Sequence, residues 1–550
     1  MSVKQNNTPN PGDLHELLDA IQRHTRFDHP VKQFEVVETH ISLILLTGQV
    51  AYKFKKPVNL GFLDFTTLEK RRYYCEEEVR LNSRYSPELY IGVSCFTGDA
   101  ACPRLNGEGE ILEYAVKLLQ FPAFSELKYA IDKGRLTPVH IDQLARDLAG
   151  FHAGTSPVPH TRYAGSPNCV RRQALDNFLA FKTADKVVCA CSDTLARLED
   201  WSLEALAALQ WEFTLRKHNG HIRDCHGDLH LGNIILYQDR PRLFDCIEFS
   251  DELRMIDVIS EVAFLVMDFD RLGHAEMGRR FLNAWLQHSG DYAGVAVLRF
   301  YLVYRAMVRA KVACLRLNQQ DTTETQQTRE LAEIQAYLEQ ALRYTSADRA
   351  VLLITHGLSG SGKTRGSQPI LESLGAIRIR SDVERKRLYS MAAGGRAALE
   401  PEAGLYSPDK SQQTYQWLRY MAKRVLTAGY PVIVDAAFLR SSERRQMQVI
   451  AEECNVPFVI LDFYADYATL RSRIVQRQQQ AQDESDADTG VLDWQIRHQQ
   501  PLEPEELSRC VRINTDTKMD TADIIRQIRY SSERYQPSPQ GGESVILQNQ

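Results

Sequence analysis

The chain has 550 residues, 43% hydrophobic and 25% charged, with a formal net charge of -5 and a pI near 6.3. This allows about three or four domains with ordinary cores, and it excludes a basic footprint for nonspecific nucleic-acid binding. No run of about 18 apolar residues suggests a membrane-spanning helix, and Met1–Asp13 is polar, without a hydrophobic signal core. The 11 cysteines contain no CxxC pair, so they read as reduced and mostly buried. The expectation is a cytoplasmic protein with no nucleic-acid or membrane partner; its oligomeric state is not legible.

After an extension over 1–26, Phe34–Glu38, Ser42–Thr47 and Gln49–Phe54 read as a small antiparallel meander. Ala51-Tyr52-Lys53 ends it, with Lys55 on the same strand face. A charged helix over Thr67–Asn82 follows and carries Glu76, Glu77 and Glu78. Such a run is usually a solvated face, and Glu77, four residues before Leu81, is the glutamate predicted to border the apolar side. Strand pattern continues to Leu119, and most of the remainder is helical. The exception is Ile234–Phe244, where a turn at Gln238–Pro241 makes a short hairpin. Just before it stands His226-Gly227-Asp228-Leu229-x3-Asn233, the arrangement of a kinase catalytic loop with Gly where protein kinases carry Arg. In that arrangement Asp228 takes the proton of an acceptor hydroxyl. Asn233 and Asp245 hold Mg²⁺, and Lys53, or alternatively Lys55, positions ATP with the help of Glu77. The hairpin is expected to set Asn233 opposite Asp245.

A polar connector and helix over 318–345 precede a clean alternation of strands and helices. Val351–Thr355, Ala376–Ile379, Val432–Asp435, Phe458–Asp462 and Val511–Asn514 are the strands. The clearest helix starts at Ser407-Pro408 and ends before Gly429. The pattern implies a parallel sheet. Its first strand leads into Gly357-Leu358-Ser359-Gly360-Ser361-Gly362-Lys363-Thr364, the P-loop spacing, with a helix after it. Backbone N–H groups from Gly357 to Gly362, Ser359 and Ser361 included, would cradle phosphates. Lys363 would neutralise them, and Thr364 with Asp435 would hold Mg²⁺. Asp382, after strand two, is either a base for the acceptor hydroxyl or a helix cap, and Arg385 can hold an anionic substrate. Arg473 and Arg477, one turn apart, are either an ATP lid or part of a solvated helix running into the polar stretch 478–488.

The Gly-Leu-Ser-Gly-Ser-Gly-Lys-Thr loop, Arg380-Ser381-Asp382 and Val432-Ile433-Val434-Asp435 resemble small P-loop kinases of the polynucleotide-kinase and zeta-toxin groups. The His226–Asn233 loop, Asp245, Phe151-His152 and Arg254-Met255-Ile256-Asp257 resemble the aminoglycoside phosphotransferase and choline kinase group, in which Asp257 would brace the catalytic loop. The whole chain is similar to bifunctional bacterial proteins with both modules. The implied fold class is an α+β bilobal protein-kinase-like domain over 27–345, followed by an α/β three-layer P-loop NTPase domain with a parallel sheet over 346–530. The first would have a small lobe to about 120, a large lobe to about 317 and a connector helix; 531–550 would be a disordered tail. The implied activity is transfer of the ATP γ-phosphoryl group to hydroxyls of small-molecule acceptors. A nucleotide-sensing regulator and a kinase acting on protein are the alternatives. The first hairpin, Val36–Val50, has no GxGxxG, so the resemblance names a reaction class and no substrate.

Overall fold

The computed structural model describes residues 11–61, 63–182, 184–317, 323–346, 350–389, 407–480 and 488–535. Residues 481–487 of the expected mobile stretch and 536–550 of the expected tail lie outside them. Contacts divide the chain into two compact units, 1–173 with 213–268, and 174–212 with 269–550. Among the described residues no helix is long and apolar enough to cross a membrane, and the cysteines are free.

The first unit opens with a helix, Pro11–His24, whose Leu14, Leu17, Leu18 and Ile21 fall on one face. That face packs against a six-stranded antiparallel sheet, so part of the extension belongs to the small-lobe core. The strands are β1 (Glu35–Glu38), β2 (Ser42–Leu46), β3 (Val50–Lys55), β4 (Tyr90–Asp99), β5 (Cys102–Leu105) and β6 (Ile111–Leu119), in the order β1-β2-β3-β6-β4-β5. The helix Leu68–Asn82 starts where expected because Thr67 caps it, accepting from Lys70 N. It buries Arg71, Cys75, Glu78, Leu81 and Asn82, and Arg71 ties it to Glu113 of β6. Two short antiparallel pairs complete the frame: β7 (Ile222–Asp224) with β10 (Met255–Asp257), and β8 (Ile234–Tyr237) with β9 (Arg240–Leu243).

In the second unit β11 (Leu352–His356), β12 (Ile377–Arg380), β13 (Val432–Asp435), β14 (Phe458–Tyr464) and β15 (Cys510–Asn514) form an all-parallel sheet. Its order is β12-β13-β11-β14-β15. Ser407 and Pro408 open the helix Pro408–Thr427 as the sequence indicates.

The change of fold type near 345 is not where the contacts divide the chain. The helix Ala275–Ser289 lies against edge strand β12, and the buried Asn283 side chain acts there as a substitute strand. Arg378 N donates to Asn283 Oδ1 at 2.7 Å, and Asn283 Nδ2 donates to Ala376 O at 3.0 Å. Arg279 reaches the last carbonyls of the P-loop helix, those of Glu372 and Ser373, at 2.8 and 2.9 Å. An open edge is a template for association. A chain starting at residue 346 is therefore expected to self-associate in light scattering where the full chain does not. Asn283→Leu, which leaves Arg378 N and Ala376 O buried without these bonds, is expected to cost about 2 kcal/mol or more in urea unfolding.

Candidate active sites

In the first unit Lys53 on β3 faces inward. Its Nζ donates to Glu78 Oε1 at 2.8 Å and also bonds Asp245 Oδ1. Burial works against its charge, but Asp245 and Glu78 outweigh it and hold the ammonium well above the usual lysine range. Glu78 is likewise opposed by burial, yet Lys53 and Lys55 bring it down to about 2.

The helical partner of Lys53 is thus Glu78 rather than Glu77. Glu77 points away from Lys53 and pairs with Arg80 at 2.7 Å. The reason is the helix period: Arg71, Cys75 and Glu78 fall at i, i+4 and i+7 on the buried face, and Glu77 lies about 100° away. Lys55 is also buried, and its Nζ bonds Glu78 Oε2 at 2.7 Å and Glu248. Glu78→Gln is therefore expected to weaken ATP binding at this site about tenfold, and Glu77→Gln to leave it unchanged. A nucleotide titration of the Lys363→Ala chain, in which the other site is disabled, reads the difference.

The catalytic-loop residues come together as well. Asn233 Nδ2 donates to Asp228 O at 2.9 Å and to Asp228 Oδ2 at 3.1 Å. Gly227 has φ 88, and a Cβ there would meet Leu253 O at 2.9 Å, so the position kinases fill with Arg has no room for a side chain. His226 Nε2 lies 2.8 Å from Phe244 O, which ties the loop to the strand before Asp245. Burial pushes the His226 imidazole below its ordinary value, against the pull of Glu261.

Two expectations about this loop need correction. The brace on its backbone is Glu261, which accepts from Gly227 N at 2.9 Å and meets His152 at 3.2 Å. Asp257 instead pairs with Arg216 at 2.6 Å. The hairpin turn is also shorter than Gln238–Pro241: Tyr237 pairs with Arg240, and only Gln238 and Asp239, both at positive φ, form the turn. The register therefore shifts by one. Phe244 N donates to Asn233 O at 3.0 Å, so Phe244 stands opposite Asn233. Asp245 follows at φ 61, and that left-handed turn carries its carboxylate to Lys53.

In the second unit the P-loop leaves the central strand β11. Gly357 has φ 137, and a Cβ there would lie 2.2 Å from Phe463 O, so only glycine fits. Thr364 Oγ1 donates to Asp435 Oδ2 at 2.7 Å, and Thr355 Oγ1 reaches the same carboxylate at 3.3 Å. A hydroxyl and a carboxylate converging in this way form a hard-oxygen set of the kind Mg²⁺ takes. Lys363 Nζ folds back on the carbonyls of Gly357 and Leu358 at 2.8 and 2.9 Å. Burial lowers Lys363 to about 8, Asp435 and Asp382 act the other way, and Arg477 adds to the depression.

A cleft of about 640 Å³ opens here, lined by Lys363, Asp382, Arg385, Tyr415, Arg477 and Trp494 among others. Asp382 sits in the first turn of the helix Ser381–Leu388, whose N-cap is Arg380, so it is not the cap. Arg473 also lines the cleft, but its guanidinium is held by Gly360 O at 3.2 Å and Thr515 O at 2.7 Å. It braces the loop, and Arg477, one turn further along the helix Tyr467–Gln480, is the arginine whose charge reaches Lys363. Ser359 N donates to Gln495 Oε1 at 2.8 Å, and the Ser361 side chain is buried in the loop. The sequence reading missed Tyr415, Trp494 and Gln495, which lie on helices distant in sequence and carry no motif.

The phosphotransferase enzyme family matches residues 100–300, and an AAA domain family matches residues 352–502. The uncharacterized protein Rv2004c of Mycobacterium tuberculosis is 31% identical over 456 residues, which is 82% of this chain and 88% of the relative. The chain belongs to that two-module family. It joins an aminoglycoside phosphotransferase-like domain to a P-loop kinase-type domain, and both are phosphotransfer folds. Solved structures resemble the parts. A choline/ethanolamine kinase family protein from Mesorhizobium loti is 12% identical, covering 58% of this chain and 94% of that one with a TM-score of 0.35. Chaetomium thermophilum Kti12 is 18% identical, covering 33% and 98% with a TM-score of 0.27.

Proposed function

We propose that the chain is an ATP- and Mg²⁺-dependent phosphotransferase with two nucleotide sites, each passing the γ-phosphoryl group to a hydroxyl of a small-molecule acceptor. The observation that carries this reading is the same set of groups in each unit: a lysine beside hard oxygen ligands. In the first, Lys53 stands between Glu78 and Asp245, with Asn233 on Asp228. In the second, Thr364 stands on Asp435 beside Lys363.

Bound Mg²⁺ would neutralise phosphate charge and keep the transferring group in line. Asn233 and Asp245 would hold it in the first site, Thr364 and Asp435 in the second. Lys53, held by Glu78, orients the α- and β-phosphates, while Asp228 takes the acceptor proton. In the second site Lys363 leaves the Gly357 and Leu358 carbonyls for phosphate, and Asp382 takes the acceptor proton. The sheet order favours this division of the cleft. The residues at and just after the end of β12, among them Arg380, Asp382 and Arg385, lie on one side of the P-loop strand, and the helix Tyr467–Gln480 after β14 lies on the other. An acceptor with an anionic group suits the Arg385 side. A cytoplasmic location goes with this reading.

The test is incubation of the purified chain with γ-labelled ATP and a bacterial metabolite extract. Label in small molecules, lost in part with Asp228→Asn and in part with Lys363→Ala, is the expected result. Label confined to protein would replace the acceptor class, and tight ATP binding without transfer would make the chain a regulator.

A further inference from the structure

Asp245 is not glycine, yet it has φ 61, in the left-handed region that few L residues adopt and that costs even aspartate some strain. Such a residue persists only where its surroundings hold it. Here the small lobe grips the turn at successive points. Asp245 N donates to Tyr90 Oη at 3.0 Å, at the start of β4. Cys246 N donates to Asn82 Oδ1 at 2.8 Å, at the last residue of the helix Leu68–Asn82. Asn82 is itself oriented, because its Nδ2 donates to Glu78 O at 2.8 Å. Glu248 accepts from Lys55 Nζ, the end of β3, and Lys55 also holds Glu78. Tyr90, Asn82, Lys55 and Glu248 are all buried.

We propose that Tyr90, Asn82 and Lys55 are positioning residues that hold the 245–248 turn in the left-handed geometry presenting the Asp245 carboxylate to a divalent cation. The proposal rests on Asp245 being a metal ligand, as argued above, and adds what keeps it in place. None of the three is itself assigned to the metal. The two backbone N–H groups they engage belong to consecutive residues, so together they fix the peptide orientation on either side of the strained Cα. Without them the turn relaxes toward negative φ, and the carboxylate swings out of its position beside Lys53. The same tethers bind the metal turn to the helix that carries Glu78, so the orientations of Lys53 and of Asp245 are set by one small-lobe scaffold.

The test uses the full chain carrying Lys363→Ala, so that nucleotide binding reports the first site alone. Two quantities are read: the MgCl₂ concentration for half-maximal ATP binding, and amide hydrogen exchange at residues 245 and 246 in metal-free protein. Tyr90→Phe, which keeps the ring and removes only the hydroxyl, is expected to raise the Mg²⁺ requirement about fivefold to tenfold and to speed exchange. Asn82→Leu is expected to do the same; Tyr90→Phe alone decides the matter if that variant does not fold. Both changes together support the proposal, whereas either alone, or neither, overturns it. Asp245→Asn is the control. If it shifts the Mg²⁺ requirement and Tyr90→Phe does not, the metal site stands and the positioning role falls. If Asp245→Asn leaves the requirement unchanged, the metal-ligand reading fails and the proposal fails with it.

Discussion

Lys363→Ala is expected to weaken Mg-ATP binding at the P-loop cleft by about 10²-fold or more and to abolish transfer there, because the buried ammonium that would turn from the loop carbonyls to phosphate has no substitute in water. The lysine is desolvated and lies near Asp382 and Asp435, so its removal leaves two carboxylates facing the incoming phosphates. The first unit should be unaffected, since Lys53 is held by Glu78 and Asp245 of its own unit. A nucleotide titration before and after the substitution measures this. A variant that still bound ATP normally at both sites would remove the P-loop from the account.

The second large effect is expected from Asp228→Asn. Asparagine keeps the size of the side chain and can still accept from Asn233 Nδ2, but it cannot accept a proton from an acceptor hydroxyl. Transfer by the first module should fall by about 10²- to 10⁴-fold, the usual range for a general base. ATP binding should hold, because Asp228 is assigned to neither phosphate nor metal. Single-turnover transfer with labelled ATP, once an acceptor has been found in the extract, checks it. A fall in ATP affinity with an unchanged rate would reassign Asp228 to the metal.

Much of this arrangement is legible in the sequence where the signals are local. The strands of the parallel sheet appear within about two residues of their expected ends, since a short apolar run bounded by caps has few other solutions. Thr67 and Ser407-Pro408 start their helices as capping chemistry requires. What was not legible depends on period or on distance. Glu77 and Glu78 differ by one position, and only the buried partners Arg71 and Cys75 reveal which faces Lys53. A two-residue turn in place of a longer one moved Phe244 opposite Asn233 and left the placement of Asp245 to its backbone. The helix Ala275–Ser289 is tied to the parallel sheet by side chains such as Asn283, which bonds residues more than 90 positions away along the chain. No window along the sequence contains both ends of that contact.

The central claim is that one chain carries two independent Mg-ATP sites, and calorimetric titration of the full chain with ATP in saturating MgCl₂ tests it most directly. The account predicts two nucleotides bound per chain. One should be lost with Lys363→Ala, and the remaining one should bind more weakly when Asp245→Asn is added. A single bound nucleotide, or a stoichiometry that neither substitution changes, would contradict it.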